Sequence, residues 1–67
     1  METYEIRGMT CEHCVRAVTR ALGKVPGVTA VRAVDLARGQ ATIEGSPDEQ
    51  AVLEAIRGEG YEARRTA

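Results

Sequence analysis

Both cysteines of the chain fall within one run of eight residues, Gly8-Met9-Thr10-Cys11-Glu12-His13-Cys14-Val15, where a two-residue periodicity gives way to a helical one. Before the run, Tyr4, Ile6 and Gly8 share one face of an alternating segment, which predicts a first strand. After it, Cys14, Val15, Val18, Leu22 and Val25 recur at three- and four-residue steps, which predicts a helix from about Glu12 to Lys24 with an apolar stripe. Cys11 is thereby placed on a loop and Cys14 in the first helical turn. Free backbone N–H groups and the positive end of the helix dipole favour thiolate over thiol there. A converging thiolate pair is the donor set of a soft monovalent metal.

The remaining pattern completes an order of strand, helix, strand, strand, helix, strand. Pro26-Gly27 ends the first helix. Val28 to Leu36 is rich in β-branched residues, but Val28, Val31 and Ala33 lose phase with Val34 and Leu36, which predicts a bulge near Ala33 and Val34. Ala37-Arg38-Gly39 reads as a hairpin turn into a strand carrying Ala41 and Ile43 on one face and ending at Gly45. Ser46 as cap, Pro47 at the first helical position and Glu49 three residues after Ser46 predict a capping box, with Val52, Leu53 and Ile56 facing the core. Gly58 and Gly60 close this helix, Tyr61 to about Arg64 forms a last strand, and Thr66 and Ala67 are expected to fray.

With 67 residues and 43% hydrophobic content, the chain reads as one small domain over residues 1–67. It buries only roughly 60% of the surface its unfolded form exposes. A core this thin argues against an enclosed substrate cavity, since those run to several hundred Å³. A formal net charge of −1 and only two aromatic residues, both tyrosine, argue against nucleic acid as a partner. The acidic, polar start Met1-Glu2-Thr3-Tyr4-Glu5 lacks the form of a signal peptide, and no apolar stretch reaches membrane-spanning length. A cytoplasmic location without membrane insertion is therefore expected, and there thiols stay reduced. No paired acid and base, activated hydroxyl or phosphate loop points to an enzyme.

Two-residue cysteine spacing serves several chemistries. Haem attachment requires His directly after the second Cys, where Val15 stands. Structural zinc takes four ligands, and the chain offers two thiols and one His, His13. A thiol–disulfide oxidoreductase remains a competing reading, because two thiols at a helix start can cycle through a disulfide. Against it stand the short length, the absence of Trp and the placement of both prolines, Pro26 and Pro47, at helix boundaries.

The Gly8-Met9-Thr10-Cys11-Glu12-His13-Cys14 loop after the first strand, with Pro26-Gly27-Val28 after the first helix and Gly60-Tyr61 before the last strand, resembles the heavy-metal-associated domain family. That family contains small copper chaperones, metal-binding domains of copper-transporting P-type ATPases, and mercury-binding relatives. The resemblance covers essentially the whole chain. It implies an α+β, ferredoxin-like βαββαβ sandwich, a four-stranded antiparallel sheet with two helices on one face. It also implies one Cu(I) carried by Cys11 and Cys14 and passed by ligand exchange to a copper-transporting P-type ATPase, with a mercury or general soft-metal scavenger as the alternative. Thiolates select Cu(I) over hard divalent ions, and a d¹⁰ ion accepts two-sulfur coordination. Ag(I) and Hg(II) share that preference, and Zn(II) is a further ion to test in vitro.

The neighbouring residues carry paired readings. Met9 is a core anchor or an auxiliary sulfur near the metal. His13 is solvent-exposed or an auxiliary ligand, within the chain or across a contact. Thr10 caps the loop or helix start in preference to touching metal. Gly8 lets the backbone turn tightly. Tyr61 matches a family position that approaches the metal loop, and it either shields a sulfur or closes the base of the core. Arg16, Arg20 and Lys24 form a row on the first helix, read as a solvated face supported by a Glu12–Arg16 pair or as a dock for an acidic partner. The chain is expected to be a monomer, or a homodimer bridged by shared metal.

Overall fold

Alternation and helical periodicity resolve into six elements in the computed structural model, which describes residues 1–66. They are β1 (Glu2–Arg7), α1 (Glu12–Gly23), β2 (Val28–Asp35), β3 (Gln40–Gly45), α2 (Glu49–Gly58) and β4 (Glu62–Arg65). The strands form one antiparallel sheet in the order β2-β3-β1-β4. The helices touch one another on one face of it, α1 over β2 and α2 over β4. This is the expected ferredoxin-like sandwich.

Between sheet and helices lies the core of Tyr4, Ile6, Val18, Leu22, Val25, Ala41, Ile43, Val52 and Ile56. Tyr4 and Ile6 supply the alternating face of β1, and Val18 and Leu22 the stripe of α1. Val52 and Ile56 are buried from α2, while Leu53 packs at the margin of the core. No helix among the described residues is long and apolar enough to cross a membrane.

In β2 the phase problem has a different solution from the one expected. Val28, Val31 and Val34 sit opposite Gly45, Ile43 and Ala41 of β3, three-residue steps on one strand against two-residue steps on the other. Two irregularities make this possible, between Val28 and Ala30 and between Val31 and Ala33, so Thr29 and Arg32 are the extra residues. The expected bulge at Ala33 and Val34 is displaced toward Arg32, and a second one was not foreseen. Each insertion turns the next valine back toward the helices.

Two further expectations are corrected. The cap of α2 is Asp48, whose Oδ1 accepts from the Gln50 N–H at 3.2 Å. Ser46 is instead held by its backbone, its N–H donating to the Gly27 carbonyl at 3.1 Å. A Cβ on Gly27 would lie 2.9 Å from Pro47 Cα, and Gly27 has φ of +94°. Ser46 and Pro47 therefore pack against the turn after α1, and helix entry is delayed to Glu49. Thr66 is tied down, with its N–H 2.8 Å and its hydroxyl 3.2 Å from the Thr3 carbonyl. Ala67, also expected to fray, lies outside the described residues.

Candidate metal centre

Cys11 occupies the N-cap position of α1 with extended backbone, φ −159° and ψ 176°. Its carbonyl accepts from the N–H groups of Cys14 at 3.0 Å and Val15 at 3.3 Å, but no side chain caps this end. Cys14 is the third helical residue, so one short turn brings both side chains to the same side. The two free thiols stand with Sγ atoms 3.9 Å apart, Cys11 exposed and Cys14 half-buried.

That separation is far beyond a disulfide bond of about 2.05 Å. Two metal–thiolate bonds of about 2.3 Å span up to about 4.6 Å when collinear, so a small side-chain rotation admits one two-coordinate ion. Among the described residues, no group of three or more His, Cys, Asp or Glu side chains could hold a metal. His13 is exposed and does not join the two sulfurs. The two sulfurs are thus joined by no third His, Cys, Asp or Glu side chain among the described residues.

Cys14 is surrounded by hydrogen-bond donors. The Thr10 backbone amide is the strongest influence, followed by the Tyr61 hydroxyl, the Cys11 amide and the Thr10 hydroxyl, and together they pull the Cys14 thiol down to about 6. The Thr10 hydroxyl lies 3.7 Å from Cys14 Sγ. Thr10 thus does not cap the helix by its side chain; it faces the sulfur. The hydrogen bond between the Tyr61 hydroxyl and Cys14, with desolvation behind it, pushes the Tyr61 phenol up to about 12.

The Tyr61 ring packs against the core margin while its hydroxyl hydrogen-bonds to Cys14. The ring is seated over Gly8, where a Cβ would lie 3.0 Å from Tyr61 Cδ1 and where φ is +107°. An L side chain there would be strained and would push the ring away. This contact joins residues far apart in the chain; the family resemblance brings Tyr61 toward the loop, but Gly8 as the seat of its ring had no local mark in the sequence. Met9 packs half-buried against the core, consistent with an anchor. The hairpin turn also abuts this end, with the Gly39 carbonyl 2.6 Å from the Ile6 N–H.

Arg16 and Arg20 on α1 and Lys24 at its C-cap are exposed, and none makes an ion pair among the described residues; the expected Glu12–Arg16 pair does not form. On the helix-free face of the sheet, by contrast, Arg64 pairs with Glu5 at 3.3 Å and Arg32 with Glu44 at 3.0 Å.

Comparison with known proteins gives a consistent picture. The family model described as "Heavy-metal-associated domain" matches residues 3–62. Copper-transporting ATPase 2 of Rhizobium meliloti (strain 1021) is 50% identical over 97% of this chain, which spans only 8% of that protein's length. The copper chaperone CopZ of Bacillus subtilis (strain 168) is 34% identical, with 96% of each chain covered. Among solved structures, the N-terminal domain of PacS from Synechocystis PCC6803 superposes with a TM-score of 0.90 at 32% identity, covering 98% of this chain and 96% of that one.

Proposed function

The chain belongs to the heavy-metal-associated domain family, and from that membership we propose that it is a cytoplasmic copper chaperone that binds one Cu(I) between Cys11 and Cys14 and delivers it to a copper-transporting P-type ATPase. The observation that carries the reading is the pair of free sulfurs 3.9 Å apart with no third His, Cys, Asp or Glu side chain beside them among the described residues. Cu(I) is cargo, and a two-coordinate site at the protein surface suits cargo. An incoming thiolate adds to the ion as a third ligand, one of the original sulfurs leaves, and a second exchange completes the transfer without releasing the ion.

The local donors serve this exchange. With the Cys14 thiol pulled down to about 6 by its hydrogen-bond donors, its sulfur is largely thiolate near neutral pH and ready to take the ion. The dithiolate–Cu(I) unit carries a net charge of −1, stabilised by the N-terminus of α1 and by the Tyr61 hydroxyl. The row Arg16, Arg20 and Lys24, which makes no ion pair among the described residues, supplies an electrostatic dock for an acidic acceptor surface, and contact through it orients the metal loop toward the partner's thiols.

The test is transfer. The copper-loaded chain is mixed with the metal-binding domain of a copper-transporting ATPase in the presence of a Cu(I) chelator, and the location of copper is read after separation. Movement to the domain while the chelator stays empty, slowing as salt is raised, is expected; copper passing to the chelator instead would contradict handover. The higher identity to the copper-transporting ATPase than to CopZ, 50% against 34%, favours a second reading, in which the chain is the receiving module, and running the exchange from both starting points reads its direction. Hg(II) and Ag(I) suit the same two sulfurs. Competition among the three ions decides between copper delivery and a general soft-metal role.

A further inference from the structure

Apart from the metal loop, an open groove of about 550 Å³ runs between α1 and α2. Its floor is made by Ala17 and Ala21 from α1 and Ala51 and Ala55 from α2, each pair one helical turn apart. All four are half-buried, so their methyl groups face solvent at the bottom of the trough. Side chains this short let another helix approach closely.

The rims carry opposite charge. Arg20 and Lys24 line the α1 side and Glu54 and Glu59 the α2 side, while Arg57 of α2 does not line the groove. None of these four rim charges makes an ion pair within the chain among the described residues. The two rims are thus complementary to one another and separated by an apolar floor.

We propose that this groove is a self-association surface, and that its occupant is the same helical face of a second copy of the chain. A two-fold axis parallel to the helices places α1 of each copy over α2 of the other, so that each basic rim meets an acidic rim and the alanine floors face each other. A two-fold axis across the helices would set like rims together, which the charges oppose. The favoured arrangement keeps both metal loops at the same end of the pair. It does not use the thiols, and so differs from a dimer bridged by metal. The face is small relative to the roughly 800 Å² per partner of a stable complex, and the association is accordingly weak. Arg20 and Lys24 also belong to the row assigned above to the acceptor, so pairing and docking exclude each other; that consequence, unlike the pairing itself, rests on the proposed handover.

The test uses metal-free chain carrying Cys11→Ser and Cys14→Ser, so that its outcome is independent of the copper reading. Sedimentation equilibrium at up to about 1 mM, the range in which a weak pair forms, is expected to show a reversible monomer–dimer equilibrium that weakens as salt is raised. Arg20→Glu/Lys24→Glu makes both rims acidic and Glu54→Lys/Glu59→Lys makes both basic. Each variant alone should be monomeric, and an equimolar mixture should recover dimer, because every contact in the mixed pair is again between unlike rims. Circular dichroism and thermal melting of each variant verify that it is folded. A parent chain that stays monomeric, dimers that persist in both variants, or a mixture that fails to associate would overturn the proposal and assign the groove to another occupant.

Discussion

The Tyr61 hydroxyl, carried by the turn between α2 and β4, hydrogen-bonds to the sulfur of Cys14 at the start of α1. The bond couples two ends of the chain at the metal loop, and Gly8 provides the floor on which the Tyr61 ring rests. Its consequence is electrostatic. A thiolate accepting several hydrogen bonds is favoured over the thiol.

Alkylation of the reduced apoprotein by iodoacetamide, followed residue by residue with mass spectrometry, should show Cys14 reacting with a midpoint near pH 6. Tyr61→Phe should raise that midpoint more than Thr10→Val, because the Tyr61 hydroxyl acts more strongly than the Thr10 hydroxyl and the dominant Thr10 amide survives both changes. A group whose folded pKa is depressed stabilises the fold above its unfolded pKa, and that contribution fades as pH falls through the folded value. The apoprotein should therefore lose this increment between about pH 8.5 and 6, the first figure being an ordinary thiol. A wild-type midpoint near 8.5 would contradict the donor arrangement.

Both tyrosines should resist ionisation. Burial, then the hydrogen bond to Glu2, pushes the Tyr4 phenol up to about 12, and Tyr61 stands at about 12 as well. A folded pKa raised above the unfolded value gives stability that is complete below the unfolded pKa, near 10, and disappears as pH rises through 12. Absorbance of phenolate should stay low at pH 10 in the folded chain, and alkaline unfolding should fall between 10 and 12. Tyr4→Phe, which keeps the buried ring and removes the 3.0 Å bond to Glu2, should cost about 1 kcal/mol at neutral pH and weaken the alkaline transition. Ordinary titration of two phenols near pH 10 before unfolding would contradict this.

The cap of α2 separates two residues of similar capacity. Asp48→Ala should destabilise the chain by about 1 kcal/mol in urea unfolding, through loss of the bond to the Gln50 N–H. Ser46→Ala should leave stability nearly unchanged, because Ser46 is held by its backbone. The reverse order would restore Ser46 as the cap.

Deleting Arg32 should harm the fold far more than replacing it. Arg32→Ala removes an exposed ion pair with Glu44, worth about 0–1 kcal/mol. Deletion removes one of the two extra residues of β2, so that Val31 and Val28 can no longer face the core together with Val34. Thermal melting of the two variants compares the effects directly. Equal Tm values would mean that the bulge does not set the phase of the strand.

These results explain which features were legible in the sequence. The six elements and the dithiol loop were readable because their signals are local: alternation around Tyr4 and Ile6, helical spacing through Val18 and Leu22, and two thiols at a strand–helix junction. Features decided by distant partners were not. The phase of β2 depends on the spacing of Ala41, Ile43 and Gly45 across the hairpin. The choice of Asp48 over Ser46 depends on the Gly27 carbonyl and the space beside it. The ordering of Thr66 depends on Thr3, at the opposite end of the chain. At the metal loop, the thiols were found from their spacing, whereas the turn of Thr10 toward Cys14 and the seating of Tyr61 over Gly8 required three dimensions.

The central claim is that Cys11 and Cys14 form a site for one Cu(I). Its most direct test is an anaerobic Cu(I) titration of the reduced chain against a chromophoric Cu(I) chelator, beside a Cys11→Ser/Cys14→Ser variant and a parallel Zn(II) titration. One tightly held Cu(I) per chain, absent from the variant and much stronger than Zn(II), is the predicted result. Weak Cu(I) binding, or binding that survives removal of both sulfurs, would contradict the account.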